Sequence, residues 1–311
     1  MKTTVSIVIP AFNERENLLR CLASLKAQTY PADRVETLVV DDASTDGTAA
    51  AVRQEFPNVR LLVRAVNSGP DDARQEGVQA ATGDLVAFTD SDCVAPPDWL
   101  ENLVRSVHEH SGAVVGGRIL HRGPFLARVI GVSDFGEFQD HREKPVHTIP
   151  TCNMGIRREI LLRHGFEGRL RMVGDTFLSH SLSQHGERLL FDPAITIFHF
   201  PGGAWDSFVR RARRYGEGFV QTRTAVPTLP YAGWVRAGLP GILCIALGRT
   251  ALDWYRLTRF RRTAGIPVYA LPAAALLVLV KRLIGLAGAW GACRVRTTSC
   301  ESCTSPTITN S

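Results

Sequence analysis

A doubly wound α/β domain, with a mostly parallel sheet and helices on both faces, followed by apolar helices at the C-terminus, is the fold class this sequence predicts. Three observations carry it. Strand-like and helix-like patterns alternate over the first hundred residues, each strand is nearly continuously hydrophobic, and the chain turns apolar and basic beyond about residue 225. Strands that alternate with helices and lack a polar face imply a parallel sheet covered on both sides.

Each element follows from its local pattern. The β-branched run VSIVIP (5–10) predicts the first strand, and Leu18, Leu22 and Leu25 at helical spacing predict a helix over Asn17 to Gln28. VETLVVDD (35–42) is a second buried strand, and Ser44 or Thr45 can cap the helix in STDGTAAAVRQEF. VRLLVRAV (59–66) is a third strand, DDARQEGVQAA a helix closed by Gly83, and DLVAFTD (84–90) a fourth strand. PPDWLENLVRSV then reads as a helix.

Composition sets the bounds. With 311 residues, 45% hydrophobic and 21% charged, the chain has the core of one or two globular domains. Its net charge of +6 is uneven: residues 1–150 carry 15 Lys/Arg against 21 Asp/Glu, and residues 151–311 carry 21 against 9. Nucleic acid is not expected as a partner, because the aromatics sit in apolar runs and the acidic half repels phosphate. Cys21, Cys93, Cys152 and Cys244 lie in apolar surroundings, which implies a reducing compartment, and the Cys300/Cys303 pair reads as part of an inert tail. The start, MKTTVSIVIP, becomes a strand with no signal peptide pattern, so a cytoplasmic N-terminus is expected.

In open α/β sheets ligands bind beyond the carboxyl ends of the strands. Three of those ends are acidic or polar here: PAFNE, DDASTDG and DSDC. No GxGxxG follows the first strand and no GxxxxGK[ST] occurs, which disfavours a dinucleotide or P-loop site. In an extended chain residues i and i+2 face the same side, so Asp90 and Asp92 can converge on one point. Such oxygen donors suit Mg²⁺ or Mn²⁺, with positions left for substrate phosphates.

The stretches VSIVIPAFNE, LVVDDASTDGT, NSGPDDARQEGVQAATGDLVAFTDSD and MVGDTFLSHSL, in this order over about residues 3–220, resemble the family 2 glycosyltransferases of GT-A fold. The resemblance implies inverting transfer of a sugar from a nucleotide diphosphate sugar to an acceptor hydroxyl with a divalent metal; UDP is the commonest donor nucleotide of the family. It implies that Pro10, Phe12, Glu14 and Asp42 hold the base and ribose, that Arg74 faces the nucleotide, and that Asp92, assisted by Asp90, binds the metal. TCNMGIRREIL (151–161) is similar to the segment that enters the acceptor region. Asp175 matches the catalytic base, although Gly174 stands where the family commonly has Glu, and Ser181 where many members have Arg. A pocket carboxylate ionised near neutral pH suits that role. His199 matches a histidine that approaches the metal or diphosphate. Arg211, Arg214, Tyr215 and Gly218 are similar in spacing to the QxxRW segment of processive relatives, with substitutions that argue against a polymer synthase. Arg211 and Arg214 can contact the diphosphate or anionic headgroups. The competing readings are a nucleotidyltransferase and an inactive sugar-nucleotide binder.

AGLPGILCIALG (237–248) and AGIPVYALPAAALLVLV (264–280) flank the basic RLTRFRR (256–262). The second run is 17 residues, about 25 Å as a helix and at the lower end of a spanning length. Pro267 and Pro272 weaken it as a straight helix, so spans and an interfacial arrangement both stand. The expected organisation is a catalytic domain over 1–224 (nucleotide half 1–110, acceptor half 111–224), membrane-associated helices over 225–293 and a disordered tail over 294–311. The expected partners are the donor, a sugar or lipid-linked acceptor of cell-envelope glycan synthesis and membrane lipid, with the catalytic domain on the cytoplasmic side.

Overall fold

The computed structural model describes residues 3–110, 112–166, 174–202 and 204–301, with side chains to Cys293. Its first half alternates as expected: β1 (Val5–Ala11), α1 (Arg15–Lys26), β2 (Val35–Asp41), α2 (Thr48–Glu55), β3 (Arg60–Val63), α3 (Pro70–Ala80) and β4 (Leu85–Thr89). The short strand β5 (Cys93–Val94) and helix α4 (Trp99–Glu109) follow. Strand β3 is shorter than its pattern predicts and only half buried, because it forms the edge of the sheet. Arg64, just past its end, turns to Asp42 instead.

The second half supplies β6 (Val114–His121), α5 (Phe125–Phe135), β7 (Lys144–Pro145), β8 (Asn153–Arg157), α6 (Arg158–His164), α7 (Gly174–Gln184) and β9 (Leu189–His199). Strand order is β3-β2-β1-β4-β8-β6-β9-β5, with β7 on β9. Pairing is parallel among β1 to β4 and between β6 and β9, and antiparallel for β4–β8, β6–β8, β5–β9 and β7–β9. The sheet is therefore parallel in its first half and mixed in its second.

Period-two alternation sends Ile7 and Ile9 to one face, against Leu18 and Leu22 of α1 and Leu103 of α4. Val8 faces the opposite side with Val78 of α3, Leu161 of α6 and Leu178 of α7. The chain leaves β1 toward β2 on one side and β4 pairs on the other, so the sheet reverses direction at β1. A crevice opens beyond such a reversal.

The remaining helices are α8 (Trp205–Ala225), α9 (Ala232–Arg236), α10 (Leu239–Phe260) and α11 (Leu271–Glu301). One helix, α10, carries most of the first apolar run and the start of the basic segment. Pro267 precedes α11 and Pro272 is its second residue, where a missing N–H costs nothing, so neither proline breaks it. Val268–Cys293 is long and apolar enough to cross a membrane, with mean hydropathy 1.9 and 17% of its most apolar window buried. Helix α11 nevertheless packs along α8. A Cβ at Gly216 would lie 1.9 Å from the Gly285 carbonyl oxygen, and one at Gly288 would lie 2.2 Å from that of Arg213, so glycine permits the contact. Val129 and Val132 of α5 pack against Leu257, Phe260 and Val278. Buried ion pairs join the same helices: Lys281 to Asp134, and Arg282 to Asp253, whose Oδ2 also accepts from Ser133 Oγ at 2.9 Å. Residues 302–311, Cys303 and the side chain of Cys300 lie outside the described residues, as does most of the expected tail.

Candidate active site

The loops after β1 and β2 are tied together by Asn13, which adopts φ 53°, a conformation asparagine tolerates. Its N–H donates to Ser44 Oγ (2.9 Å), and its Oδ1 accepts from the Thr45 N–H (2.8 Å). Ser44 and Thr45 therefore do not cap α2, as the sequence suggests they could. Asp46 takes that part, with Oδ1 accepting from Thr48 N–H (3.0 Å) and Oδ2 from Arg15 N–H (3.1 Å).

Asp42 is 2% exposed, and its carboxylate is occupied by the chain. Oδ1 accepts from Arg64 (2.7 Å) and Ser68 N–H (3.1 Å), and Oδ2 from Gly69 N–H (2.7 Å). It lines the cavity described below, yet its first task is to order the 67–69 loop along that cavity's edge. A direct base or ribose contact uses only the lone pairs left over.

Asp90 and Asp92 both reach the cavity described below, but not through the extended spacing that the sequence suggests. The chain turns there, Cys93 N–H donating to the Asp90 carbonyl at 3.0 Å, and the two carboxylates take different partners. Asp90 Oδ1 accepts from Arg74 Nη2 (2.7 Å), whose Nη1 donates to Asp71 Oδ1 (3.0 Å), so Arg74 is clamped between two acids. Asp92 Oδ2 lies 3.0 Å from His199 Nε2, and His199 Nδ1 lies 2.8 Å from His121 Nε2. Burial by itself would raise the Asp92 carboxyl, but His199 and then Arg211 outweigh it and hold it at about 2. Burial opposes charge on His199 too, yet Asp92 and then Asp90 raise its pKa. His121 is pushed down to about 3 by burial and by His199, so it stays neutral and accepts from its neighbour.

Asp42, Arg74, Asp90 and Asp92 border one cavity of about 740 Å³ beyond the β1/β4 reversal. Pro10, Phe12, Glu14 and Asp42 form one wall and Arg74, Asp90 and Asp92 another. Arg211 and Arg214 of α8 close it. Phe12 is 47% exposed, a free aromatic face at the cavity. Glu14 is hydrogen-bonded by Asn17 at 2.5 Å, and burial raises its pKa. His199 stands behind Asp92 rather than in the wall. Asp92, His199 and Cys93 offer ligand atoms within 4.8 Å of one another, but burial lifts the Cys93 thiol well above its ordinary range. The donor that faces the cavity is the Asp92 carboxylate, an oxygen ligand that suits Mg²⁺ or Mn²⁺, and His199 Nε2 can join it only by giving up the proton it shares with Asp92.

Asp175 borders a second cavity of about 300 Å³. Its Oδ1 accepts from Thr176 N–H at 2.7 Å, which is a helix-start contact. Its pKa is nevertheless raised to about 6, chiefly by burial and further by Asp71 and Asp90, against that hydrogen bond and Arg74. Helix α8 divides the two cavities: Arg211, Arg214, Gly218 and Gln221 face the first, while Ala212, Tyr215, Phe219 and Arg223 face the second. These two sets follow the spacing of adjacent helix faces.

Three participants were not legible in the sequence. His121 meets His199 only through the β6–β9 register. Asp71, read as part of a helix start, fills the space beside Gly174, where a Cβ would lie 2.0 Å from its Oδ2. A glutamate at 174 would have to displace the Asp71 carboxylate, so an acid from α3 occupies the space where the family commonly has one at this position. Arg223 lies in a basic helix with nothing local to single it out.

Residues 6–165 match the model of glycosyl transferase family 2. The chain is 28% identical over 225 residues to glycosyltransferase AglE of Haloferax volcanii, covering 70% of this chain and 73% of that one. It is 27% identical over 229 residues to the probable glycosyltransferase YdaM of Bacillus subtilis, covering 69% of this chain and 54% of the relative. Its fold is that of the mannosyltransferase PcManGT from Pyrobaculum calidifontis, solved in complex with GDP-Man and Mn²⁺, with TM-score 0.58 and 23% identity over 91% of this chain and 88% of that one.

Proposed function

Because the chain belongs to glycosyl transferase family 2, we propose that it transfers a sugar, with inversion, from a nucleotide diphosphate sugar in the 740 Å³ cavity to an acceptor hydroxyl in the cavity that Asp175 borders. The observation that carries this is the arrangement about α8: Asp90, Asp92, Arg211 and Arg214 lie on one side, and a carboxylate of pKa about 6 on the other. A base on one side and a diphosphate on the other suit displacement from opposite faces through an oxocarbenium-like state.

Phe12 stacks on the base, Glu14 and Asp42 shape the ribose end, and Arg211 and Arg214 meet the diphosphate. Asp92, Asp90 and His199 hold Mg²⁺ or Mn²⁺, which when bound neutralises the charge of the departing diphosphate. The His121–His199 pair sets the orientation of the imidazole toward Asp92. The Asp175 carboxylate takes the acceptor's hydroxyl proton as the new bond to the sugar's anomeric carbon forms and the bond to the diphosphate breaks. The donor is a UDP-sugar, and GDP-Man in the solved neighbour makes GDP-sugars the first comparison. The catalytic domain works at the cytoplasmic side of a membrane, a reading that the candidate span over Val268–Cys293 and the free buried thiols of Cys21, Cys93 and Cys152 support.

A donor screen with the full chain and Mn²⁺, reading nucleotide diphosphate release with and without membrane extract, tests the reading. Asp92→Asn is expected to abolish metal-dependent release while leaving the fold intact. Full activity in that variant would reduce the DSD stretch to a turn.

A further inference from the structure

The acceptor-side cavity carries more positive charge than its own carboxylates neutralise. Four cations border it: Arg223 of α8, Arg249 of α10, and Lys281 and Arg282 of α11. Lys281 is paired with Asp134, and Arg282 with Asp253. The other two make no ion pair with a carboxylate within 4 Å among the described residues, although Asp253 acts on Arg249 from farther away. Arg223 is 6% exposed, donates through Nε to the Pro230 carbonyl at 2.8 Å, and stacks 3.7 Å from the centre of the Phe219 ring. Arg249 stands 4.9 Å from the same ring and 5.8 Å from that of Tyr231. Two guanidinium groups thus share one aromatic ring in an apolar wall. Like charges so placed, one buried and the other half-buried, repel each other, and an anion between them relieves the repulsion.

The rest of the wall shows what kind of anion. Ile242 and Ile245 of α10 and Leu286 and Ala289 of α11 line the same cavity. The last two belong to the one helix, among the described residues, that is apolar and long enough to cross a membrane. The cavity therefore lies between a membrane-type helix and the carboxylate of Asp175. A free sugar would leave both the apolar wall and the arginine pair without a partner. An alkyl chain bearing a phosphate uses both, and the bidentate fork of arginine matches phosphate oxygens.

We propose that this cavity is the site of a phosphorylated amphiphile. Its phosphate sits between Arg223 and Arg249, its chain lies along α10 and α11, and its glycan hydroxyl is turned toward Asp175. This rests on the reading of Asp175 as the acceptor's base, but the anion site can be tested without transfer.

The probe is dodecyl phosphate, titrated into the full-length protein in detergent micelles of neutral headgroup, with dodecanol and inorganic phosphate as the two controls. Saturable binding of dodecyl phosphate is expected, with much weaker binding of either control. Arg249→Gln should weaken it by about ten- to a hundredfold, the loss for a hydrogen bond to a charged group. Arg249→Lys should keep part of it, while UDP–Mn²⁺ binding stays as in the parent chain. Equal affinity for inorganic phosphate would make the site one for a free anion, and equal affinity for dodecanol would make it merely apolar; either overturns the proposal. An unchanged affinity in Arg249→Gln overturns it as well. Asp175→Asn separates the two readings: if it keeps full transfer, the assignment of the base fails, whereas loss of dodecyl phosphate binding in Arg249→Gln stands or falls independently.

Discussion

Asp175→Asn should make the protein more stable and nearly inactive at the same time. An aspartate ordinarily ionises at 3.8, and in the fold this one ionises at about 6. Between those values the native state holds a proton that the unfolded chain has released, so stability falls as pH rises and the loss is complete above about 6. The difference is worth at most about 3 kcal/mol. Partial solvent access to the side chain reduces it to ~1–2 kcal/mol. Asparagine keeps the Oδ1 that accepts from Thr176 N–H and carries no charge, so at pH 7.5 the variant should gain that amount, while at pH 4 it should match the parent. Thermal unfolding in the presence of a chelator reads this without interference from a cation. Transfer should fall by roughly two to four orders of magnitude with donor affinity retained, as expected for loss of a general base. In the parent, kcat/KM should fall about tenfold per pH unit below 6. A variant that is less stable at every pH would make Asp175 a helix cap. A variant that loses only donor affinity would make it a nucleotide contact, with Glu137 and Asp134, which border the same cavity, and His199 the next candidates for the base.

Two further outcomes test the packing behind the site. Gly174→Glu drives a side chain into Asp71 and should cost about 1–3 kcal/mol, and Asp71→Gly in the same chain should recover much of that loss in a double-mutant cycle; strict additivity would show that the two positions do not touch. Gly288→Ala should destabilise although alanine favours a helix by about 1 kcal/mol over glycine, because its Cβ would press on the Arg213 carbonyl of α8. A more stable Gly288→Ala chain, read by thermal unfolding, would mean that α11 is a detachable anchor rather than a wall of the acceptor cavity.

The sequence by itself determined the parallel half of the sheet, because buried parallel strands must be apolar throughout and the helices between them must show a 3.6-residue period. It also determined the acidic strand ends at Asp42, Asp90 and Asp92, since a carboxylate placed where a hydrophobic run stops is visible within a few residues. What it could not encode at short range was which distant groups answer those acids. His121 reaches His199 across 78 residues through strand register, Asp71 stands where a side chain at 174 would go, and α11 returns to α8 through glycines that look unremarkable in a row of letters. The two prolines read as weakening a straight helix lie before and at the start of α11, a placement that periodicity alone does not reveal. Local pattern reports the environment a residue needs, and only the folded chain supplies the partner: hence the carboxylates were legible, and the meeting of Arg223 and Arg249 at one phenylalanine ring was not.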